Sequence, residues 1–114
     1  MATILVVDDE VEIRQLIVES LEYAGYRVFD AENCEDALAL LDLHPDTALL
    51  VTDVRMPCCD GPQLAQEALA QHPALQVILI TGFSKNGWPW PVLHKPFRMS
   101  ELNRQVRLAL EVAA

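Results

Sequence analysis

Five short apolar runs recur along this chain, and the first three gaps between them each carry a helical stripe. The runs are TILVVD (3–8), YRVFDA (26–31), ALLVTD (48–53), QVILIT (76–81) and PVLH (91–94). Ile13, Leu16, Ile17 and Leu21 fall at helical spacing before Gly25 closes the first helix. A second helix starts at about Asn33 and carries Ala37, Leu38 and Leu41. A third opens at Gly61-Pro62, where proline suits a first turn, and aligns Leu64, Ala65, Ala68 and Leu69 before Pro73 stops it. A last helix from about Ser100 lines up Leu102, Val106 and Leu110. Near-continuous apolar strands alternating with helices require a parallel sheet covered on both faces. Right-handed crossovers then make a doubly wound α/β domain.

The fourth gap breaks the rhythm. Only thirteen residues, GFSKNGWPWPVLH, separate Thr81 from Lys95. The piece from Ser84 to Pro91 holds a glycine, two prolines and two tryptophans and has no apolar helical stripe. A full crossover helix is therefore not expected there. Trp88 and Trp90 are expected to cover the apolar flank that such a helix would shield, in preference to offering it to a partner.

With 114 residues, 52% of them hydrophobic and no low-complexity linker, one domain spanning 1–114 is expected. The formal charge is −9, from 17 acids against 8 bases, which speaks against a nucleic-acid surface and says nothing positive about a partner. No apolar run is long enough to span a membrane, and no basic segment leads into an apolar one. Cys34, Cys58 and Cys59 lack metal-ligand spacing, and the adjacent Cys58 and Cys59 stand closer than a disulfide prefers. Reduced thiols in a cytoplasmic protein are the expectation.

In a parallel sheet all strand C-termini share one edge, where ligands bind. Four of the five runs deliver polar residues to that edge: Asp8 and Asp9, Asp53, Thr81 and Lys95. Neighbouring strands lie ~4.8 Å apart, so two carboxylates on adjacent strand ends repel by roughly 3 kcal/mol at an effective dielectric of 20. A cation that neutralises them, or a proton on one of them, relieves this. An all-oxygen donor set without nearby His or Cys selects a hard divalent ion, best Mg²⁺. Asp53 then suits a nucleophile for phosphoryl transfer, with metal and Lys95 against the phosphoryl charge and Thr81 as hydroxyl donor. Each residue also has a plainer reading. Asp9-Glu10-Val11-Glu12 matches a helix capping box, which leaves Asp9 open between cap and ligand. The conjunction on one edge is what favours the site.

These residues resemble the receiver domain of bacterial two-component response regulators. VVDDE near the start, VTDVRMP followed by DG, ITGF, and HKPF carry the likeness over essentially the whole chain. The resemblance implies a flavodoxin-like, five-stranded parallel sheet in the order 2-1-3-4-5, with the helix between strands four and five short or missing. It implies that Asp53 is the phosphoacceptor, supplied by a sensor histidine kinase or histidine phosphotransfer protein. Asp9, Asp53 and the carbonyl of Arg55 would bind Mg²⁺ directly, with Asp8 acting through water. Thr81 and Lys95 would engage the phosphoryl group, and the Lys95-Pro96 peptide would be cis. The chain departs from the family at Cys58-Cys59, where Gly-Met usually stands, and at Val92, where an aromatic switch residue usually stands.

The chain is thus expected to be a stand-alone receiver and not an enzyme with an external substrate. It would signal to a protein target of unknown identity, without direct nucleic-acid or membrane contact and with no oligomeric state implied. A pseudo-receiver that works without phosphorylation is the alternative. A haloacid-dehalogenase-type phosphatase would need an acid two residues after Asp53, where Arg55 stands. A flavodoxin-type or dinucleotide module would need a Gly-rich turn after the first strand, and VVDDEVE has none.

Overall fold

The computed structural model describes residues 1–57, 59–82 and 87–113. Its strands are β1 (Thr3–Val7), β2 (Arg27–Ala31), β3 (Leu49–Asp53), β4 (Gln76–Thr81) and β5 (Val92–His94). The helices among the described residues are α1 (Val11–Tyr23), α2 (Cys34–Leu43), α3 (Gly61–Gln71) and α4 (Met99–Ala113). All strand pairs are parallel, and the sheet order is β2-β1-β3-β4-β5. This is the expected doubly wound sheet, and no helix lies between β4 and β5 among the described residues.

The order dictates which face each crossover covers. The chain moves one way from β1 to β2 and the other way for every later crossover, so a constant right hand puts α1 opposite α2 and α3. Side chains alternate along each strand and feed two separate cores. Leu5, Val7, Leu50, Val77 and Leu79 pack with Ala37, Leu41, Leu64 and Ala68 of α2 and α3. Ile4, Val6, Val51, Ile78 and Ile80 pack with Ile17 and Leu21 of α1 and Leu102 and Val106 of α4. Strands β1 and β3 are buried along their whole length, so both read as unbroken apolar runs.

Trp88 and Trp90 are half-buried against the α2–α3 core, together with Val92. That is the face on which a right-handed β4–β5 helix would have rested, so the two rings cover the flank as expected. Gly87 takes a positive φ of 111°, a conformation that favours glycine just before the first ring.

Local chemistry sets the helix starts. Asn33 caps α2 by accepting from the amide of Asp36 at 2.8 Å, and Asp60 caps α3 by accepting from that of Gln63 at 2.7 Å. The capping box does not form at α1: Glu10 stands at the N-cap, and no side chain caps it. Asp9 is one residue too early to cap.

Two of the three cysteines do not stand apart. Cys34 and Cys59 are brought within disulfide reach, with Cα atoms 6.4 Å apart at a sequence separation of 25. The turn into α2 and the loop before α3 meet at the same sheet edge, which sequence spacing could not show. Cys58 lies outside the described residues.

Candidate functional site

The register brings the strand ends together. Val7 pairs with Thr52, so the residues that follow, Asp8 and Asp53, leave the sheet side by side. Asp53 pairs with Ile80 and Thr81 with His94, which carries Thr81 and Lys95 to the same edge. The amide of Lys95 donates to the Thr81 carbonyl at 2.8 Å, and the Lys95-Pro96 peptide is cis, as the resemblance implied.

Asp8, Asp53 and Thr81 are buried polar side chains at this edge, at 1%, 6% and 1% exposure. Lys95 reaches in from β5 and places Nζ 3.3 Å from Asp53 Oδ2 and 4.0 Å from Glu10 Oε1. Asp8 Oδ1 accepts from the amide of Glu10 at 2.8 Å, a bond that folds the chain back at the start of α1. One carboxylate oxygen from each of Asp8, Glu10 and Asp53 lies within 4.8 Å of the others. At such spacing each pair of charges repels by about 3 kcal/mol at an effective dielectric of 20, and Lys95 alone does not balance three.

Asp8 registers this imbalance. Burial pushes its pKa up from 3.8 to about 6; the Glu10 amide pulls it down, and the charge of Asp53 raises it further. Among the described residues its buried Oδ2 has no hydrogen-bond partner. An orphaned, buried carboxylate oxygen beside two further carboxylates is the donor chemistry of a hard divalent cation, and the residues present fit Mg²⁺.

Of the residues singled out from sequence, Asp8, Asp53, Thr81 and Lys95 converge. Asp9 is exposed and lies outside the three-carboxylate cluster. It lines a neighbouring cleft of about 710 Å³ with Arg55, Met56, Asp60 and Trp88. Arg55 is exposed on the loop after β3. Two participants were not anticipated. In the sequence Glu10 reads only as part of a capping box, although it extends the acidic run Asp8-Asp9-Glu10. Arg14, one helical turn after Glu10, donates from Nη1 to the Asp8 carbonyl at 2.7 Å and pairs through Nε with Asp30 at 2.7 Å. It ties the C-terminal ends of β1 and β2 beneath the site.

Gly61 holds the other wall in place. Its amide donates to the Val54 carbonyl at 2.8 Å, and a Cβ there would overlap the backbone carbonyl of Asp53. Only glycine permits so close an approach of α3 to the end of β3.

Comparison with known proteins places this geometry. A family profile described as "Response regulator receiver domain" matches residues 4–88. The response regulator receiver protein CpdR of Brucella abortus is 35% identical over 121 residues, covering 99% of this chain and 100% of that protein. The sensor kinase CckA of the same organism is 32% identical over 119 residues, but the chain spans only 13% of its length. The solved structure of the response regulator TrrA from Thermotoga maritima, in complex with Mg²⁺-BeF, superposes with a TM-score of 0.86 at 33% identity. That match covers 96% of this chain and 99% of the other. The receiver domain of the hybrid histidine kinase CckA gives a TM-score of 0.87 at 31% identity, with 96% and 99% covered. No helix among the described residues is long and apolar enough to cross a membrane. With the sheet order, the convergent strand ends and these matches in agreement, the chain belongs to the response regulator receiver domain family of two-component signalling.

Proposed function

We propose that the chain is a phosphoacceptor, taking a phosphoryl group onto Asp53 from a phosphohistidine of a sensor kinase or phosphotransfer protein. The observation that carries this reading is the placement of Asp53. It is a nearly buried carboxylate with Lys95 Nζ at 3.3 Å and the partnerless Asp8 oxygen in the same cluster. A carboxylate oxygen of Asp53 forms the new O–P bond while the N–P bond of the donor breaks, and the imidazole leaves with the electron pair. Attack by a carboxylate oxygen moves no proton, so this step needs no general base.

Oxygens of Asp8 and Asp53, with Asp9 or Glu10 beside them and the carbonyl of Arg55 at the loop, are the atoms that would hold Mg²⁺. Bound there, the ion supplies positive charge against the phosphoryl oxygens. Lys95 exchanges its contact with Asp53 for one with the phosphoryl group, and Thr81 donates its hydroxyl to a phosphoryl oxygen. The chain is the stoichiometric acceptor in this reaction and turns over no external substrate. Donors fed by ATP place the transfer in the cytoplasm. The output is a surface recognised by a protein target.

Incubation with Mg²⁺ and a small-molecule phosphodonor should add about 80 Da, read by intact mass. Asp53→Asn should abolish the addition. A wild type that gains no mass, or an Asp53→Asn variant that still gains it, overturns the assignment. Lys95→Ala should still accept the group but lose the change in amide exchange that follows; an unaltered response would contradict the role given to Lys95.

A further inference from the structure

Two half-buried cysteines lie near the acceptor site, and neither side chain takes part in the phosphoryl chemistry. Cys34 is the first residue of α2, and Cys59 sits in the connection from β3 to α3. Their Cα atoms, 6.4 Å apart, are within the range a disulfide spans without backbone movement. Together with Asp9, Asn33, Met56 and Pro57 they line a small cleft of about 220 Å³. Both are part-exposed, so an oxidant can reach them.

The connection that carries Cys59 is the one that shapes the acceptor site. It begins immediately after Asp53, contains Arg55 and Met56, and closes where the Gly61 amide meets the Val54 carbonyl at 2.8 Å. The described residues of this connection, 55–57, 59 and 60, therefore belong to an excursion pinned at its base. A bond from Cys59 to Cys34 ties that excursion a second time, to the start of α2. The helix end it uses is itself held by the Asn33 cap at 2.8 Å.

We infer that Cys34 and Cys59 form a reversible redox modification site whose disulfide clamps the β3–α3 connection beside Asp53. The oxidant class is a peroxide or a low-molecular-weight disulfide. With peroxide, one thiolate takes an oxygen atom and releases water, and the second thiolate displaces hydroxide from the resulting sulfenic acid. Two thiols and one peroxide thus yield the S–S bond and two waters, two electrons passing from sulfur to peroxide. A small dithiol reverses the reaction by exchange. Clamping removes loop disorder that would otherwise be lost when the phosphoryl group arrives, so the oxidised form takes up the group faster. This last consequence rests on the phosphoacceptor reading; the clamp itself does not.

The test compares the full chain in dithiol and after hydrogen peroxide. Oxidation should lower the intact mass by about 2 Da in the wild type and in Cys58→Ser, but not in Cys34→Ser or Cys59→Ser. Amide exchange in peptides spanning 54–60 should slow about tenfold or more on oxidation, while α1 is unchanged. Phosphoryl uptake should rise about threefold in the oxidised wild type and be insensitive to peroxide in Cys34→Ser. A bond made through Cys58, no loss of mass, or loop exchange indifferent to oxidation overturns the site. Equal or slower uptake in the oxidised form overturns its regulatory effect. A chain that forms the bond and slows exchange, yet gains no phosphate in either state, supports the clamp and refutes the phosphoacceptor reading.

Discussion

Asp8 carries the most unfavourable charge in the site, and its titration is the most direct probe of the cluster. The folded state holds its proton more tightly than the unfolded chain does, with a pKa of about 6 against 3.8. Folding therefore takes up a proton between these values. The stability of the metal-free protein should fall as pH rises through that window, by roughly 3 kcal/mol, and stay low above it. A divalent cation opposes the loss, because it favours the ionised carboxylate. Urea unfolding should thus show a larger Mg²⁺ stabilisation at pH 7.5 than at pH 5. Asp8→Asn should stabilise the metal-free protein at neutral pH and remove most of the response to Mg²⁺; a response like that of the wild type would mean the ion is held without Asp8. Gly61 is the second sensitive residue. Gly61→Ala forces its methyl into the Asp53 backbone carbonyl and should cost about 1–3 kcal/mol in the same assay.

Among the elements, α2 opens on a side-chain cap. Asn33 accepts from the amide of Asp36, and Asn33→Ala should cost about 1 kcal/mol by leaving first-turn amides uncapped. Loss of this cap should also raise amide exchange at the start of α2, where Cys34 sits. The α1 start behaves differently, because Glu10 occupies the N-cap without a side-chain bond and turns its carboxylate towards Lys95. A capping sequence was legible there, yet the backbone is shaped by the bond from the Glu10 amide to Asp8. The β4–β5 connection shows the reverse. Its lack of a helical stripe was visible in the residues themselves, and the two tryptophans take over the cover that a helix would give.

For the whole molecule, two cores pack on opposite faces of one sheet, and the tryptophans report on one of them. Tryptophan emission should be blue-shifted in the native protein relative to the urea-unfolded chain, since both rings pack on the α2–α3 face. Trp88 lines the cleft with Asp9 and Arg55, so Mg²⁺ titration should also perturb its emission, and Trp88→Phe should remove that signal. By itself the sequence determined the order and type of the elements, because apolar periodicity follows directly from which side chains must leave water. It also determined that Asp8, Asp53, Thr81 and Lys95 share an edge, because parallel strands end on one side. Tertiary structure alone decided which carboxylates meet, drawing in Glu10 and leaving Asp9 at the rim, since a turn of one residue in a loop redirects a side chain entirely. It alone brought Cys34 to Cys59, because contacts between two loops depend on the crossovers that carry them, and those leave no period in the chain.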